Sequence, residues 1–430
     1  MKQVVVIGLG KTGLSCVHYF MKQGIMPIVM DTRENPPGKS ELPDGCQLIC
    51  GHLDQEVLCQ SDLIVSSPGV ALATPALKAA AELGVEIVGD IELFAREVHA
   101  PVVAITGSNG KSTVTTLVGL MAEAACWRVG VGGNIGTPVL DLLLTPKDVY
   151  VLELSSFQLE TTSSLKPAVS VILNLSEDHL DRYEGMAGYL AAKQRVFIGA
   201  EKILVNRDDF ATTPLDQKQW HSFGLNHEDY GRVEIDGELY LSVQGQALLP
   251  VKDLNIVGAH NQMNALAAMA LADAISIPRD AQLKVLKSFT GLAHRCQFVR
   301  ENNGIRWIND SKATNVGSTL AAVAGVSESV QGNLWLLAGG LGKGQDFSPL
   351  IPLLNNQIHE MVCFGRDAER LLSLSANTSH VNDLQEAVAY VAKEAKPGDW
   401  VLLAPACASM DQFKSFEHRG DVFAELVNQL

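Results

Sequence analysis

Short runs of β-branched and apolar residues alternate with Ala- and Leu-rich stretches along almost the whole chain. That alternation predicts parallel strands joined by crossover helices, each strand buried on both faces. A first series comprises Val4–Ile7, Ile28–Met30 and Leu63–Val65, with a weaker segment at Glu86-Ile87-Val88 before Gly89. A second comprises Val102–Ile105, Val149–Leu154, Val169–Leu173 and Ile203–Val205. A third contains Ile305–Ile308, Leu334–Leu337, Met361–Phe364 and Val401–Leu403. Between Trp220 and Pro250 polar and apolar residues alternate around Asp236-Gly237, which predicts a small antiparallel excursion. The strand series restart near Asp90 and Gly291. The predicted fold is therefore α/β with three domains, residues 1–90, 91–291 and 292–430, each a mainly parallel sheet with crossover helices.

Composition narrows the setting. A length of 430 residues exceeds what one core usually holds, and a 47% apolar share with mean hydropathy +0.13 argues against disorder. No apolar run reaches the roughly 20 residues that span a bilayer, so no membrane partner is expected. The opening Val4-Val5-Val6-Ile7 resembles a signal-peptide core but breaks at Gly8 into a nucleotide-fold turn, so export is not expected. A net charge of −15 disfavours nucleic acid as a partner. The eight cysteines show no CxxC and no metal-like pairing with histidine. Cys16, Cys126, Cys363 and Cys407 read as small core residues, and a reducing cytoplasm is the expected compartment.

The strongest chemical signal is Thr106-Gly107-Ser108-Asn109-Gly110-Lys111-Ser112-Thr113, directly after the apolar run Val102–Ile105. A strand, a Gly-rich loop and a helix start aim several N–H groups and a partial positive charge at one point, which suits a phosphate of ATP or GTP. Lys111 adds a cation, and Ser112 or Thr113 a hard oxygen for Mg²⁺. The first glycine of the usual P-loop spacing would fall at Ile105, so the loop has a different geometry. A second signal, Gly8-Leu9-Gly10-Lys11-Thr12-Gly13, follows the first strand, with Asp31, Thr32 and Arg33 closing the second. It fits a nucleotide diphosphate; NAD(P) or a purely structural turn would fit the glycines as well. No later residue supplies a hydride-transfer site.

Glu153 ends a strand that should neighbour the phosphate-loop strand, and a carboxylate buried there needs a cation or a salt bridge. Asn174 to Tyr183 form a polar cluster at another strand end, where open α/β folds bind ligands, with His179 between Asp178 and Asp181. Lys193 starts from a weaker position: on spacing alone it reads as the solvated face of an amphipathic helix.

Taken together, these segments resemble the Mur ligase family of ATP-dependent amide-forming enzymes over the whole chain. TGSNGKST, GGNIG at Gly132–Gly136, LELSSFQLE and SEDHLDRY are similar to its central motifs. GAHNQMNALAA, GLAHRCQ and INDSKATN are similar to its adenine-side and C-terminal motifs. APACASMDQFKSFEHRG and the preceding GLGKGQDF resemble the D-glutamate-adding branch, and the Asp-Asn-Pro-Arg signature of the diaminopimelate- and lysine-adding branches is absent. The resemblance implies a Rossmann-like first domain for a UDP substrate, a P-loop-type central ATPase domain and a Rossmann-like third domain for an amino acid. It also implies a cytoplasmic monomer acting in peptidoglycan precursor synthesis on UDP-N-acetylmuramoyl-L-alanine (UDP-MurNAc-L-Ala) and D-glutamate, with ATP and two Mg²⁺ ions.

The implied roles follow by position. Gly10, Lys11, Thr12, Asp31, Thr32, Arg33, Gly69, Asn134 and His179 would hold the UDP substrate. Gly107, Ser108, Asn109, Gly110, Lys111, Ser112, Thr113, Asn264, Arg295 and Asp310 would hold ATP. Thr314, Lys343, Ser409 and Phe416 would frame D-glutamate. Ser112 and Glu153 would ligate one Mg²⁺, His179 and a CO₂-derived carbamate on Lys193 the other. Lys111, Asn134, Glu153, His179 and Lys193 would form the catalytic set. A folylpolyglutamate-synthase-like ligase and, from another class, an NAD-dependent oxidoreductase are the alternatives.

Overall fold

A computed structural model describes residues 3–178, 182–214, 220–256, 258–327 and 330–430. The strands assemble into three mainly parallel sheets, one for each predicted series.

The first sheet has five parallel strands. Val4–Ile7 lies between Ile28–Asp31 and Leu63–Ser66, flanked in turn by Leu48–Cys50 and Glu86–Val88. Ile7 stands opposite both Met30 and Ser66, so the order in which strands are added switches sides at the strand that carries the Gly8 turn, which places a ligand crevice at its C-terminal end. Val5 and Ile7 pack with Met30, Ile64 and Leu77 on one face. Val4 and Val6 join a cluster that runs through Phe20 and Phe94 to Tyr150 and Leu152 of the second sheet. Polar ties reinforce that shared core. Glu92, on the helix Asp90–Glu97, accepts from Ser163 N (2.7 Å) and Ser164 N (3.0 Å), and Ser15 Oγ donates to Asp141 Oδ1 at 2.7 Å.

In the second sheet the phosphate-loop strand, Val102–Thr106, lies between Val149–Glu153 and Val169–Ile172. The excursion after Trp220 is present. Tyr230–Ile235, Glu238–Val243 and Gln246–Pro250 form an antiparallel meander at one edge, turning at Asp236-Gly237 and Gln244-Gly245 with positive φ at all four residues.

The third sheet places Ile305–Asn309 and Leu334–Gly339 on either side of Trp400–Leu403. Glu360–Phe364 and Thr378–His380 extend one edge, and Gln297–Asn302 folds back antiparallel on the other. Close contacts divide the chain into two compact units. One holds residues 1–250 and 264–286 with the first two sheets; the other holds 251–263 and 287–430 with the third.

Cys16, Cys363 and Cys407 are buried as expected, but Cys126 is exposed. It follows the helix Lys111–Ala124 with φ +63°, in the left-handed position that closes a helix, so its place is set by the turn rather than by packing.

Candidate active site

Thr106 ends its strand buried, and its hydroxyl donates to Leu154 O at 2.7 Å. The chain then turns through Gly107 (φ +149°) and Gly110 (φ +82°) into the helix that starts at Lys111. A Cβ on Gly110 would sit 2.4 Å from Asn264 Oδ1, so the adenine-side motif closes directly over this loop. Asn174 fastens the loop from the next strand: its Oδ1 accepts from Asn109 N at 2.8 Å and its Nδ2 donates to Asn109 O at 3.0 Å. Ser108 Oγ accepts from Ser176 N at 2.9 Å. Lys111 Nζ reaches back over the loop to Gly107 O (2.8 Å) and Ser108 O (2.9 Å).

Glu153 is 2% exposed and its two oxygens are divided between neighbours. Ser112 Oγ donates to Oε2 at 2.6 Å and Asn134 Nδ2 to Oε1 at 2.9 Å. The salt bridge that would have been an alternative for this carboxylate is not among the ion pairs of the described residues. Gly133 makes the Asn134 contact possible, because a Cβ there would come 2.2 Å from Glu153 O. A hydroxyl and a carboxylate held together at the phosphate loop are hard oxygen donors that fit Mg²⁺.

Lys193 overturns the solvated-face reading. Its side chain is buried at 1% exposure on the helix Gly185–Gln194, with Nζ 2.8 Å from Gly107 O and 3.4 Å from Thr106 Oγ1. Burial, and then the nearby Lys111 charge, push its pKa well below the ordinary lysine value, while Asp178 and Glu153 oppose the shift. Tyr189, one turn earlier, lies under the amine at 4.6 Å and has its hydroxyl 3.3 Å from Ser108 Oγ. The i, i+4 spacing of Tyr189 and Lys193 is the signal that could have placed both on one inward face. Among the described residues no group of three or more His, Cys, Asp or Glu could hold a metal, and His179 lies outside those residues.

In the first sheet, Gly8 has φ +93° and a Cβ on Gly13 would lie 1.8 Å from Gly8 O, so the glycines bring helix and strand together. Gly10 opens the helix, with Lys11 exposed and Thr12 half-buried beside it. Asp31 anchors this turn by accepting from Leu9 N at 2.7 Å, and it pairs with Arg33 through two bonds of 2.8 and 2.6 Å. Thr32, Arg33 and Gly69 are exposed. Arg182, a residue not singled out in the sequence, flanks Gly69. It donates to Pro68 O (2.9 Å) and Val70 O (3.3 Å) while its guanidinium lies 4.1 Å over Phe157.

Hydrogen bonds from Arg33 hold the Asp31 carboxyl at about 2, below its ordinary 3.8. A depressed carboxylate stabilises the fold above the ordinary pKa, and that contribution is lost as pH falls through the folded value. Asp31→Asn should therefore cost about 1–2 kcal/mol at neutral pH, with the difference from wild type shrinking from pH ~4 towards pH ~2, as read by urea denaturation.

In the second unit, Asp310 follows the strand Ile305–Asn309 and is buried beside Cys296, whose thiol donates to Oδ2 at 3.4 Å. Burial raises the Asp310 carboxyl to about 6, against the nearby charge of Arg295. Thr314, Lys343 and Ser409 lie on loops beyond the C-terminal ends of Ile305–Asn309, Leu334–Gly339 and Trp400–Leu403. Lys343 is exposed with φ +52°, a strained conformation for a side chain of its size. Its loop is held by a two-way pairing of Leu341 with Ala408 at 2.8 and 2.9 Å. Phe416 begins the last helix and carries the Lys312 ammonium 4.0 Å over its ring.

A phosphate loop with a buried hydroxyl–carboxylate pair and a buried lysine, on a chain that also carries a dinucleotide-type turn, defines a nucleotide-dependent α/β enzyme. The chain belongs to the Mur ligase family. Residues 2–89 match the Mur ligase MurD-like N-terminal domain, residues 105–272 the Mur ligase middle domain, and residues 294–407 the Mur ligase glutamate ligase domain. The UDP-N-acetylmuramoylalanine–D-glutamate ligase of Salmonella paratyphi A is 56% identical over 433 residues, covering 100% of this chain and 98% of that protein. The enzyme of the same name from Escherichia coli is 55% identical with the same coverage. Among solved structures, UDP-N-acetylmuramate-alanine ligase MurC of Thermotoga maritima covers 100% of both chains with TM-score 0.64 at 18% identity, a likeness of fold.

Proposed function

We propose that the protein joins D-glutamate to UDP-MurNAc-L-Ala at the expense of ATP, releasing ADP and phosphate. The observation that carries this reading is the buried Ser112–Glu153 pair, bonded also by Asn134, beside Lys111 and Lys193 at one phosphate loop. The full-length similarity to ligases of that name supports the choice of substrates. It also favours this reading over a folylpolyglutamate ligase or an oxidoreductase, as does the match of residues 2–89 to the MurD-like first domain.

The carboxylate of the L-alanyl group attacks the γ-phosphorus of ATP, and the bond to the β,γ-bridging oxygen breaks, giving an acyl phosphate and ADP. The D-glutamate amine then adds to the acyl carbon, loses a proton and expels phosphate. Two anions must meet in the first step, so cationic groups dominate the catalysis. Lys111, released from its loop carbonyls, neutralises the β- and γ-phosphates. The loop N–H groups of Gly107 to Thr113 cradle the same oxygens, with Asn264 closing over Gly110. Mg²⁺, when bound, screens the phosphate charge; Ser112 and Glu153 would hold one ion, His179 and a carbamate on Lys193 the other.

Asn134 and His179 orient the sugar nucleotide. Gly10, Lys11, Thr12 and Gly69 lie along its diphosphate and sugar, with Asp31, Thr32 and Arg33 at the uridine. Arg295 and Asp310 complete the ATP site, and Thr314, Lys343, Ser409 and Phe416 bind D-glutamate, Lys343 facing a carboxylate. The domains of this reading are residues 1–90, 91–291 and 292–430. In this reading the enzyme acts as a monomer in the cytoplasm. No helix among the described residues is long and apolar enough to cross a membrane.

Phosphate release tests this directly. Release should require both UDP-MurNAc-L-Ala and D-glutamate. L-Glutamate, meso-diaminopimelate and L-lysine should each support less than about 1% of the D-glutamate rate, because partners placed for the two carboxylates of the D isomer cannot both be met, with the amine in place, by the mirror-image or longer diacid, and L-lysine has only one carboxylate. Equal rates with any of these amines would sink the substrate assignment.

A further inference from the structure

Arg419 is the one arginine among the described residues that is fully buried, and it forms no ion pair there. All its bonds go to atoms of strand ends and the loops that follow them. Nε donates to Ser311 Oγ at 2.9 Å, Nη2 to Ser311 O at 2.8 Å, and Nη1 to Cys407 O at 3.1 Å and Gly339 O at 3.4 Å. The one carboxylate whose charge acts on it is Asp411, after the Cys407 thiol, and Asp411 itself accepts from Arg366 N at 2.9 Å. Burying a guanidinium without a carboxylate is costly, and burial alone drives its pKa down to about 10.

The acceptors explain what that cost secures. Ser311 follows the strand Ile305–Asn309, Gly339 ends Leu334–Gly339, and Cys407 follows Trp400–Leu403. These are three neighbouring strand ends of one sheet, and their loops lead to Thr314, Lys343 and Ser409 respectively. A fourth element is tied in through Ser311, whose hydroxyl donates to Phe416 O at 2.8 Å. A planar fork spreads its donors over three nitrogens in fixed directions and so reaches four acceptors on three segments, whereas an ammonium has three donors on a single atom.

We propose that Arg419 is a positioning residue for the amino-acid substrate, holding in register the three strand-end loops and the helix start that frame it. This rests on the assignment of Thr314, Lys343, Ser409 and Phe416 to D-glutamate. Arg419 touches no reacting atom; it sets the spacing of the groups that do.

The test uses the full chain and steady-state phosphate release. Arg419→Lys keeps the charge and loses the fork, and it should raise KM for D-glutamate about tenfold or more while KM for UDP-MurNAc-L-Ala changes less than about twofold. Arg419→Met should behave like Arg419→Lys, because geometry rather than charge is what is lost. Ser311→Ala, which removes one acceptor and the tie to Phe416, is the milder variant and decides the matter if the Arg419 variants do not fold. It should raise the D-glutamate KM about threefold with the other KM values unchanged. An unchanged D-glutamate KM in the folded Arg419 variants, or in Ser311→Ala where those do not fold, overturns the proposal, as does a parallel rise of all three KM values. Failure of the underlying site assignment looks different: Lys343→Ala would then leave the D-glutamate KM of the otherwise native enzyme unchanged.

Discussion

Replacing Lys193 by alanine should lower turnover by about three orders of magnitude or more, and acetate should restore part of it. The expectation follows from where the amine sits. It is sealed from solvent, paired with no carboxylate among the described residues, and its pKa is pushed down by burial and by Lys111. A depressed pKa leaves more neutral amine at pH 7, and the neutral form is the one that attacks CO₂ to give a carbamate and a proton. The product keeps one N–H, which can go on donating to Gly107 O, now 2.8 Å from Nζ. Its two new oxygens turn a cationic position into an anionic one suited to a hard cation. Acetate in the cavity left by Lys193→Ala would supply comparable oxygens. Lys193→Arg should stay inactive, because a guanidinium remains charged and does not form the carbamate. Protonation takes over as pH falls, so the wild-type rate should decline on the acid side and bicarbonate should partly offset the decline. An active Lys193→Arg, or intact protein that never carries the mass of one CO₂, would remove the carbamate from the mechanism.

The sequence made Lys193 visible only through its resemblance to a family, and the reason is physical. Helix Gly185–Gln194 has small residues on much of its surface, so no strong apolar stripe marks its inner face. What buries Lys193 is the loop Thr106–Gly107, more than eighty residues away in the chain, and no local pattern encodes that contact. The phosphate loop was legible because strand, glycines and helix follow one another without a gap, and each glycine has a backbone duty at its own position. Glu153 was half legible. A carboxylate at the end of a buried strand demanded a partner, yet that the partners would be Ser112 and Asn134 depends on sheet order, with the strands of Glu153 and the phosphate loop side by side.

The strands that escaped notice share a feature. Leu48–Cys50 and Thr378–His380 are three residues long, and with Gln297–Asn302 they lie at sheet edges, where one side faces solvent and the continuous apolar run is lost. Val129–Gly133 was hidden by its glycines, which are there because Gly132 and Gly133 pass within contact of Thr137 O and Glu153 O. Arg419 was invisible for the opposite reason: an arginine in a polar C-terminal helix reads as surface until the strand ends it joins are seen together.

Lys111→Ala should abolish turnover to a similar degree while leaving the affinity for UDP-MurNAc-L-Ala within about twofold of wild type. In the structure described here the ammonium donates to Gly107 O and Ser108 O, a position it can leave once phosphate oxygens offer stronger, charged acceptors. Losing those two bonds affects a loop that is also fastened by Asn174 and Ser176, so the fold should tolerate the change. In the proposed assignment the UDP substrate depends on a different turn, Gly8 to Gly13, which follows the central strand of a different sheet and is anchored by Asp31 rather than by the phosphate loop. Calorimetric titration of the variant with UDP-MurNAc-L-Ala, alongside its phosphate-release rate, separates the two effects. Loss of both would mean that a single nucleotide site serves both substrates. Retained turnover would mean that the loop N–H groups alone can gather the phosphate charge, which two approaching anions make energetically implausible.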